Sequence, residues 1–251
     1  MKILLLNANT SALVTGKVEA AARAAAPPGV EIRTATGEFG ATVIATRAEH
    51  AIAEHAALSL AAAHAPGCDA VVIAVSYDTG LRAVRELLDI PVVGMTEAGL
   101  LTACMLGGRI GVVVFGRRVL PMYQELIAGY GLAGRIAGWR VLESSAPYTQ
   151  GEHPELDQEI VAAAIDLVER DFAETVLLAG AVMAGVPRRL QARAPVPLVD
   201  GLVCGVHQAM VLATLGHPKP TAGSFAAPGA RSVSGVAPVL AGRLAASGDG
   251  K

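Results

Sequence analysis

The 251-residue chain is 53% hydrophobic, 17% charged and carries a net charge of −2. It has the material for one large domain or two small lobes, and it lacks the basic surplus of a nucleic-acid binder. Its apolar runs are broken by Gly, Pro or charge before the roughly 18–20 residues of a membrane span, and Cys68, Cys104 and Cys204 show no paired spacing, which points to a reducing cytoplasm and not to a disulfide scaffold.

Residues 1–6, MKILLL, run into Asn7-Ala8-Asn9-Thr10 too soon for a leader and read as a first strand. Further strands are predicted at 31–35, 70–75, 91–94, 110–115, 175–178 and 197–199. Amphipathic helical segments, such as 47–64, 120–130 and 154–170, lie between them. Strand and helix in regular alternation predict an α/β protein with parallel sheet, and near-continuous Val/Ile/Leu strands fit sheets covered on both faces. With 4% aromatic residues, the core must be built from Ala, Val, Leu and Ile.

The chain also repeats itself. "MKILLLNANT" resembles "GRIGVVVFGR", "CDAVVIAVSYDTG" resembles "AETVLLAGAVMAG", and "DIPVVGMTEAGLLTACMLG" resembles "APVPLVDGLVCGVHQAMVLATLG". Three landmarks in the same order predict two pseudo-symmetric lobes, 1–107 and 108–216, each a parallel sheet flanked by helices. The chain can cross between them near their ends, so the boundary is soft. Residues 217–251, rich in Pro, Gly, Ser and Ala, form a tail with a short helix at 236–244. Its apolar residues leave open docking on a lobe or a second subunit, and a homo-oligomer is expected. Ligands of such sheets bind beyond the carboxyl ends of the strands, which puts one active site in the cleft between the lobes.

The segments predicted to line that cleft carry the candidate chemistry. Asn9, Thr10 and Ser11 follow the first strand; Thr10 or Ser11 can cap the next helix, and the same groups can hold a ligand oxygen. Ser76, Tyr77, Asp78 and Thr79 end the third strand. Hydroxyls and N–H groups there make a donor nest. Asp78 is a candidate general base if burial raises its pKa, or a helix cap. Gly180, Ala181 and Val182, their counterparts in the repeat, offer only backbone, which suits oxyanion stabilisation. Glu97 is a binding candidate or a salt-bridge partner, and Asp200-Gly201 can be a turn. Arg117, with Arg118 and Tyr123 nearby, suits carboxylate recognition. The loop SSAPYTQGEHPEL can act as a lid, with His153-Pro154 starting a helix. Cys104 and Cys204 look like buried small apolar residues. His50 and His55, five apart, do not share a helix face, and no metal motif is present.

The opening "LLLNANTS", the D-x-G-L at residues 78–81, "IPVVGMTEAG", "VPLVDG", "TGEFGATVIATRAEHAIAEHA" (which holds Phe39, a further substrate-binding candidate) and "FGRRVLPMYQELIAGYGL" together resemble the hydantoin racemase branch of the aspartate/glutamate racemase superfamily. The resemblance implies a cofactor-independent enzyme in which two cysteines, one per lobe, face each other across the substrate carbon. Anchoring on Asp78, Gly80 and Leu81 puts Val75 at the first cysteine position; anchoring on Leu178 and Met183 puts Gly180 at the second. Two-thiol racemisation is therefore not expected. One reading is an enzyme acting on a small cyclic ureide, amide or carboxylate through an enolate or oxyanion, by racemase, hydrolase or lyase chemistry, with Asp78, Tyr77 or bound water moving the proton and Ser76 at the reacting centre. The alternative is a catalytically silent relative that binds a small metabolite. A third has catalytic groups supplied by the tail or a neighbouring subunit.

Overall fold

Strand β1 (Lys2–Asn7) carries Ile3, Leu4, Leu5 and Leu6 in succession. That run is too apolar for a strand with one wet face. The computed structural model of the protein, which describes residues 1–145, 148 and 153–246, buries all four in the middle of a sheet, none more than 1% exposed. The first sheet has the order β2-β1-β3-β4, with β2 at Glu31–Thr36, β3 at Ala70–Ile73 and β4 at Val92–Gly94. The second has the equivalent order β6-β5-β7-β8, with β5 at Ile110–Phe115, β6 at Ile136–Leu142, β7 at Thr175–Leu178 and β8 at Leu198–Asp200. Every pairing is parallel. The expected α/β fold with two pseudo-symmetric, helix-flanked sheets is what forms. β6 is the strand that sequence reasoning leaves out. It is a half-buried edge strand, and its Arg140 pairs with Asp166 and, at 2.6 Å, with Asp171, so it lacks the unbroken apolar signature of its neighbours.

The helices are α1 (Ala12–Ala25), α2 (Arg47–His64), α3 (Leu81–Leu87), α4 (Met95–Leu106), α5 (Leu120–Gly129), α6 (Pro154–Asp171), α7 (Val186–Leu190), α8 (Gly201–Leu215) and α9 (Pro238–Ala246). Two of them change sides. α4 leaves the first sheet and packs beneath β7, β8 and β5, while α8 leaves the second and packs beneath β3, β1 and β4. Leu202, Val206 and Ala209 of α8 thereby share a core with Ile3, Leu5, Val72 and Val93. The crossing of α4 and α8 requires glycine. A Cβ on Gly201 would stand 2.5 Å from the Met95 carbonyl oxygen, and one on Gly99 would stand 3.0 Å from Gly201 Cα. A division at residue 107 thus separates the sheets but not the helices that cover them.

The tail lies on the first sheet's helices. α9, two residues later than expected, packs against α2 with Leu240 buried. Lys219 Nζ donates to the carbonyls of Leu88 (2.6 Å), Arg85 (3.3 Å) and Glu86 at the end of α3. A cation there meets the negative end of the helix. Among the described residues no helix is long and apolar enough to cross a membrane, and no cluster of three His, Cys, Asp or Glu side chains is placed to hold a metal.

Candidate active site

The carboxyl ends of β1, β3, β5 and β7 meet at a cavity of about 500 Å³ between the two sheets. β1 delivers Asn9, whose side-chain oxygen accepts from Asn7 Nδ2 at 2.9 Å and from the Ser11 N–H at 2.9 Å. Asn9 lines the cavity, and with its oxygen so engaged its amide N–H₂ donates to no described residue. Ser11 is the N-cap of α1, accepting from the Val14 N–H. Thr10 bonds the Ala41 carbonyl. Neither lines the cavity, so for Ser11 the capping alternative is the one realised.

β3 and β7 end in matching turns. The last ladder-type bonds are Ala74 N–H to the Leu6 carbonyl (2.8 Å) and Ala179 N–H to the Val113 carbonyl (2.9 Å). The chain then closes a turn in each half, Asp78 N–H to the Val75 carbonyl at 2.8 Å and Met183 N–H to the Gly180 carbonyl at 2.9 Å. Between these bonds, the N–H groups of residues 75–77 and 180–182 donate to no described residue. All six residues line the cavity. Two short runs of N–H groups without an acceptor among the described residues, on two walls of one cavity, make an anion- or carbonyl-binding arrangement. Gly180 has φ 135°, a conformation an L side chain rarely adopts.

Ser76 is 6% exposed, and its Oγ accepts from the Tyr123 hydroxyl at 2.7 Å. The serine's own proton is therefore left to donate elsewhere. Tyr77 stacks on Tyr123 with ring centroids 4.7 Å apart. Burial pushes both phenols well above the ordinary tyrosine range, so they remain protonated donors at neutral pH. The rest of the described wall is Val14, Phe115, Val119, Ala179, Ser144, Ser145 and the loop Thr42–Ala45. Apart from the two tyrosines, no titratable side chain lines the cavity among the described residues.

Several sequence-predicted site residues stand elsewhere. Asp78 lies at φ 48° and turns its carboxylate away from the cavity, where it accepts from the Thr96 N–H (2.9 Å), the Glu97 N–H (2.8 Å) and the Tyr130 hydroxyl (2.7 Å). Burial raises its pKa to about 7; the donors from Tyr130, Thr96 and Glu97 oppose the rise, and the Glu97 charge adds to it. The raised pKa imagined for a base is present, but at a carboxylate committed to a helix end. Thr79 is buried and pairs with His50 Nδ1 at 3.2 Å. Glu97 makes an ion pair with Arg85 at 2.7 Å, the alternative role expected for it. Arg117 is exposed, and Phe39 packs edge-on against His55 beneath the tail. None of these lines the cavity.

No cysteine lines the cavity either: Cys68 is buried and Cys104 and Cys204 are half-buried elsewhere, and desolvation pushes the Cys68 and Cys204 thiols up, the opposite of a reactive thiolate. Of the loop expected to be a lid, residues 146–147 and 149–152 lie outside the described residues. Tyr148 is buried, its hydroxyl on Asp157, which also pairs with Arg189. His153 caps α6, with Pro154 at its first position. Sequence reasoning misses the Thr42–Ala45 loop and the bond from Tyr123 to Ser76. Nothing in the local pattern marks either, because both reach the cavity through packing.

The model of the Asp/Glu/hydantoin racemase family matches residues 3–209. The hydantoin racemase of Pseudomonas sp. (strain NS671) is 32% identical over 218 residues, covering 86% of this chain and 87% of the relative. Among solved structures, the allantoin racemase from Klebsiella pneumoniae superposes with a TM-score of 0.90 at 29% identity, covering 96% of this chain and 98% of that one. The allantoin racemase from Pseudomonas fluorescens does so with a TM-score of 0.89 at 32% identity, covering 94% and 100%. These likenesses support an enzyme of the isomerase type with racemase-like, cofactor-independent chemistry.

Proposed function

Because this chain belongs to the Asp/Glu/hydantoin racemase family, we propose that its cavity takes a small, uncharged cyclic ureide or amide and stabilises its enolate or oxyanion by hydrogen bonds, without thiols. The observation that carries this reading is the pair of turns, 75–77 and 180–182, whose residues line one cavity and whose N–H groups donate to no described residue. A planar ureide has two carbonyl oxygens, one for each turn. Donors aimed at a developing oxyanion in a dry site are each worth about 3 kcal/mol of barrier. The relatives named above, a hydantoin racemase and two allantoin racemases, act on molecules of this class. A carboxylate substrate is disfavoured, since no Lys, Arg or His lines the cavity among the described residues.

The proton is moved by water in this reading. Asp78 is committed to α4, and Tyr77 is held protonated, a donor and not a base. Ser76, its oxygen occupied by the Tyr123 proton, orients the water or the ligand. The second reading, a silent metabolite binder, is favoured by the lack of any carboxylate, imidazole, amine or thiol in the described lining.

The test is proton NMR in D₂O with allantoin and a panel of 5-substituted hydantoins, with thermal shift alongside. Loss of the α-proton signal together with thermal stabilisation is the expected result. Stabilisation without exchange selects the silent binder, and neither effect across the panel refutes the substrate class.

A further inference from the structure

The two donor turns are anchored by carboxylates that arrive from opposite directions. In the first half the anchor is Asp78, which reaches forward from the turn to the Thr96 and Glu97 N–H groups at the start of α4. In the second half the start of α8 is held alike, Leu202 N–H at 3.0 Å and Val203 N–H at 3.2 Å, but by Asp200, the residue before the helix. The other oxygen of Asp200 reaches back to the Gly185 N–H, at 2.6 Å, just after the turn.

The internal repeat makes the exchange explicit. Aligning "PVVGMTEAG" with "PLVDGLVCG" sets Gly94 against Asp200, and Thr96-Glu97 against Leu202-Val203. Gly80 and Gly185, both left-handed at φ 76° and 85°, correspond, which sets Asp78 against Met183. A Cβ on Gly94 would stand 2.4 Å from Asp78 Cγ. The Asp78 carboxylate therefore fills the space beside Gly94 where the second half has the side chain of Asp200. Each half has one carboxylate at the same place, buried in the first and half-buried in the second, supplied by a different segment of the chain.

Each carboxylate also joins a donor turn to a helix lying beneath the opposite sheet, since α4 packs on β7 and β8 while α8 packs on β3 and β1. We propose that Asp78 and Asp200 are positioning residues, each fixing one donor turn against an exchanged helix, so that together they set the span across the cavity between the N–H groups of 75–77 and 180–182. The proposal rests on the reading of those N–H groups as ligand donors. Donor arrays lose their effect with displacements of about 1 Å, so a rigid tie to a helix N-terminus, where a carboxylate is favoured, suits this use.

The test is a four-protein cycle: wild type, Asp78→Ala, Gly94→Asp, and Asp78→Ala/Gly94→Asp. The double variant moves the carboxylate of the first half to the position it has in the second, where it can take the N–H groups of α4 and of Gly80. Two readouts are followed. Amide exchange at residue 78 (to the Val75 carbonyl) and at Leu81 (to residue 78), with Met183 as the reference in the other half, reports the turn. Calorimetry with a 5-substituted hydantoin reports the site. Each single variant is expected to speed exchange at 78 and 81 at least tenfold with Met183 unchanged, and to weaken binding at least tenfold. The double variant is expected to return both to within about threefold of wild type. A double variant no better than the worse single, or acceleration at Met183 equal to that at 78 and 81, overturns the proposal. If no hydantoin binds the wild type, the substrate reading fails, while the exchange readout still decides the anchor. If Asp78→Ala does not fold, Asp78→Asn takes its place: it keeps the side chain's shape but has a single acceptor oxygen for the Thr96 and Glu97 N–H groups, and unchanged exchange at 78 and 81 in that variant then overturns the proposal.

Discussion

Replacing Asp78 with asparagine should change how stability responds to pH in a way that no exposed carboxylate can reproduce. The ordinary carboxyl value is 3.8, and burial lifts Asp78 to about 7. Between those values the folded protein holds a proton that the unfolded chain has released. Stability must therefore fall as pH rises through this window: the extra stability is fully present below pH 3.8, declines toward pH 7 and is gone above it. At about 1.4 kcal/mol per pH unit, the wild type should lose about 3 kcal/mol between pH 5 and pH 8 relative to Asp78→Asn, which has nothing to titrate there. Urea unfolding of both proteins at half-unit pH steps gives the difference, and subtracting the variant removes every other group, including Asp200, which burial also raises. A flat difference, or a wild type that gains stability on the alkaline side, would refute the reasoning. It would mean that the three hydrogen bonds from Thr96, Glu97 and Tyr130 outweigh burial.

Gly201→Ala should destabilise the protein by about 2–3 kcal/mol in urea, because the added methyl meets the Met95 carbonyl oxygen 2.5 Å away on an adjoining helix; a loss below about 1 kcal/mol would show that the α4–α8 crossing yields easily. Tyr123→Phe removes the hydroxyl bonded to Ser76 and should cost about 1 kcal/mol of stability and weaken hydantoin binding measured by calorimetry. Lys219→Met should cost about 1–3 kcal/mol, since three carbonyls at the end of α3 lose a charged donor, and thermal melting reads this directly. Arg117→Ala and Phe39→Ala should leave hydantoin affinity unchanged, as neither residue lines the cavity; a tenfold loss in either would move the site.

The sequence by itself determined the architecture and the places where chemistry could sit. Unbroken Val, Ile and Leu runs can be satisfied only in sheets covered on both faces, and the internal repeat implies two of them. Strand ends are local features, so Asn9, Ser76, Tyr77 and Gly180–Val182 could be assigned to the cavity from chain position alone. What the tertiary structure alone decided is which way each polar group turns. Asp78 and Ser76 are two residues apart, yet one carboxylate is drawn to helix N–H groups 18 and 19 positions later, while the hydroxyl next to it meets a tyrosine 47 positions on. The space that admits the Asp78 carboxylate exists because Gly94 has no side chain, and α4 and α8 change sides because two glycines let them cross. Hydrophobic pattern encodes which faces are buried. The aim of a buried polar group is set by whichever donors packing brings within about 3 Å, and those donors come from distant parts of the chain.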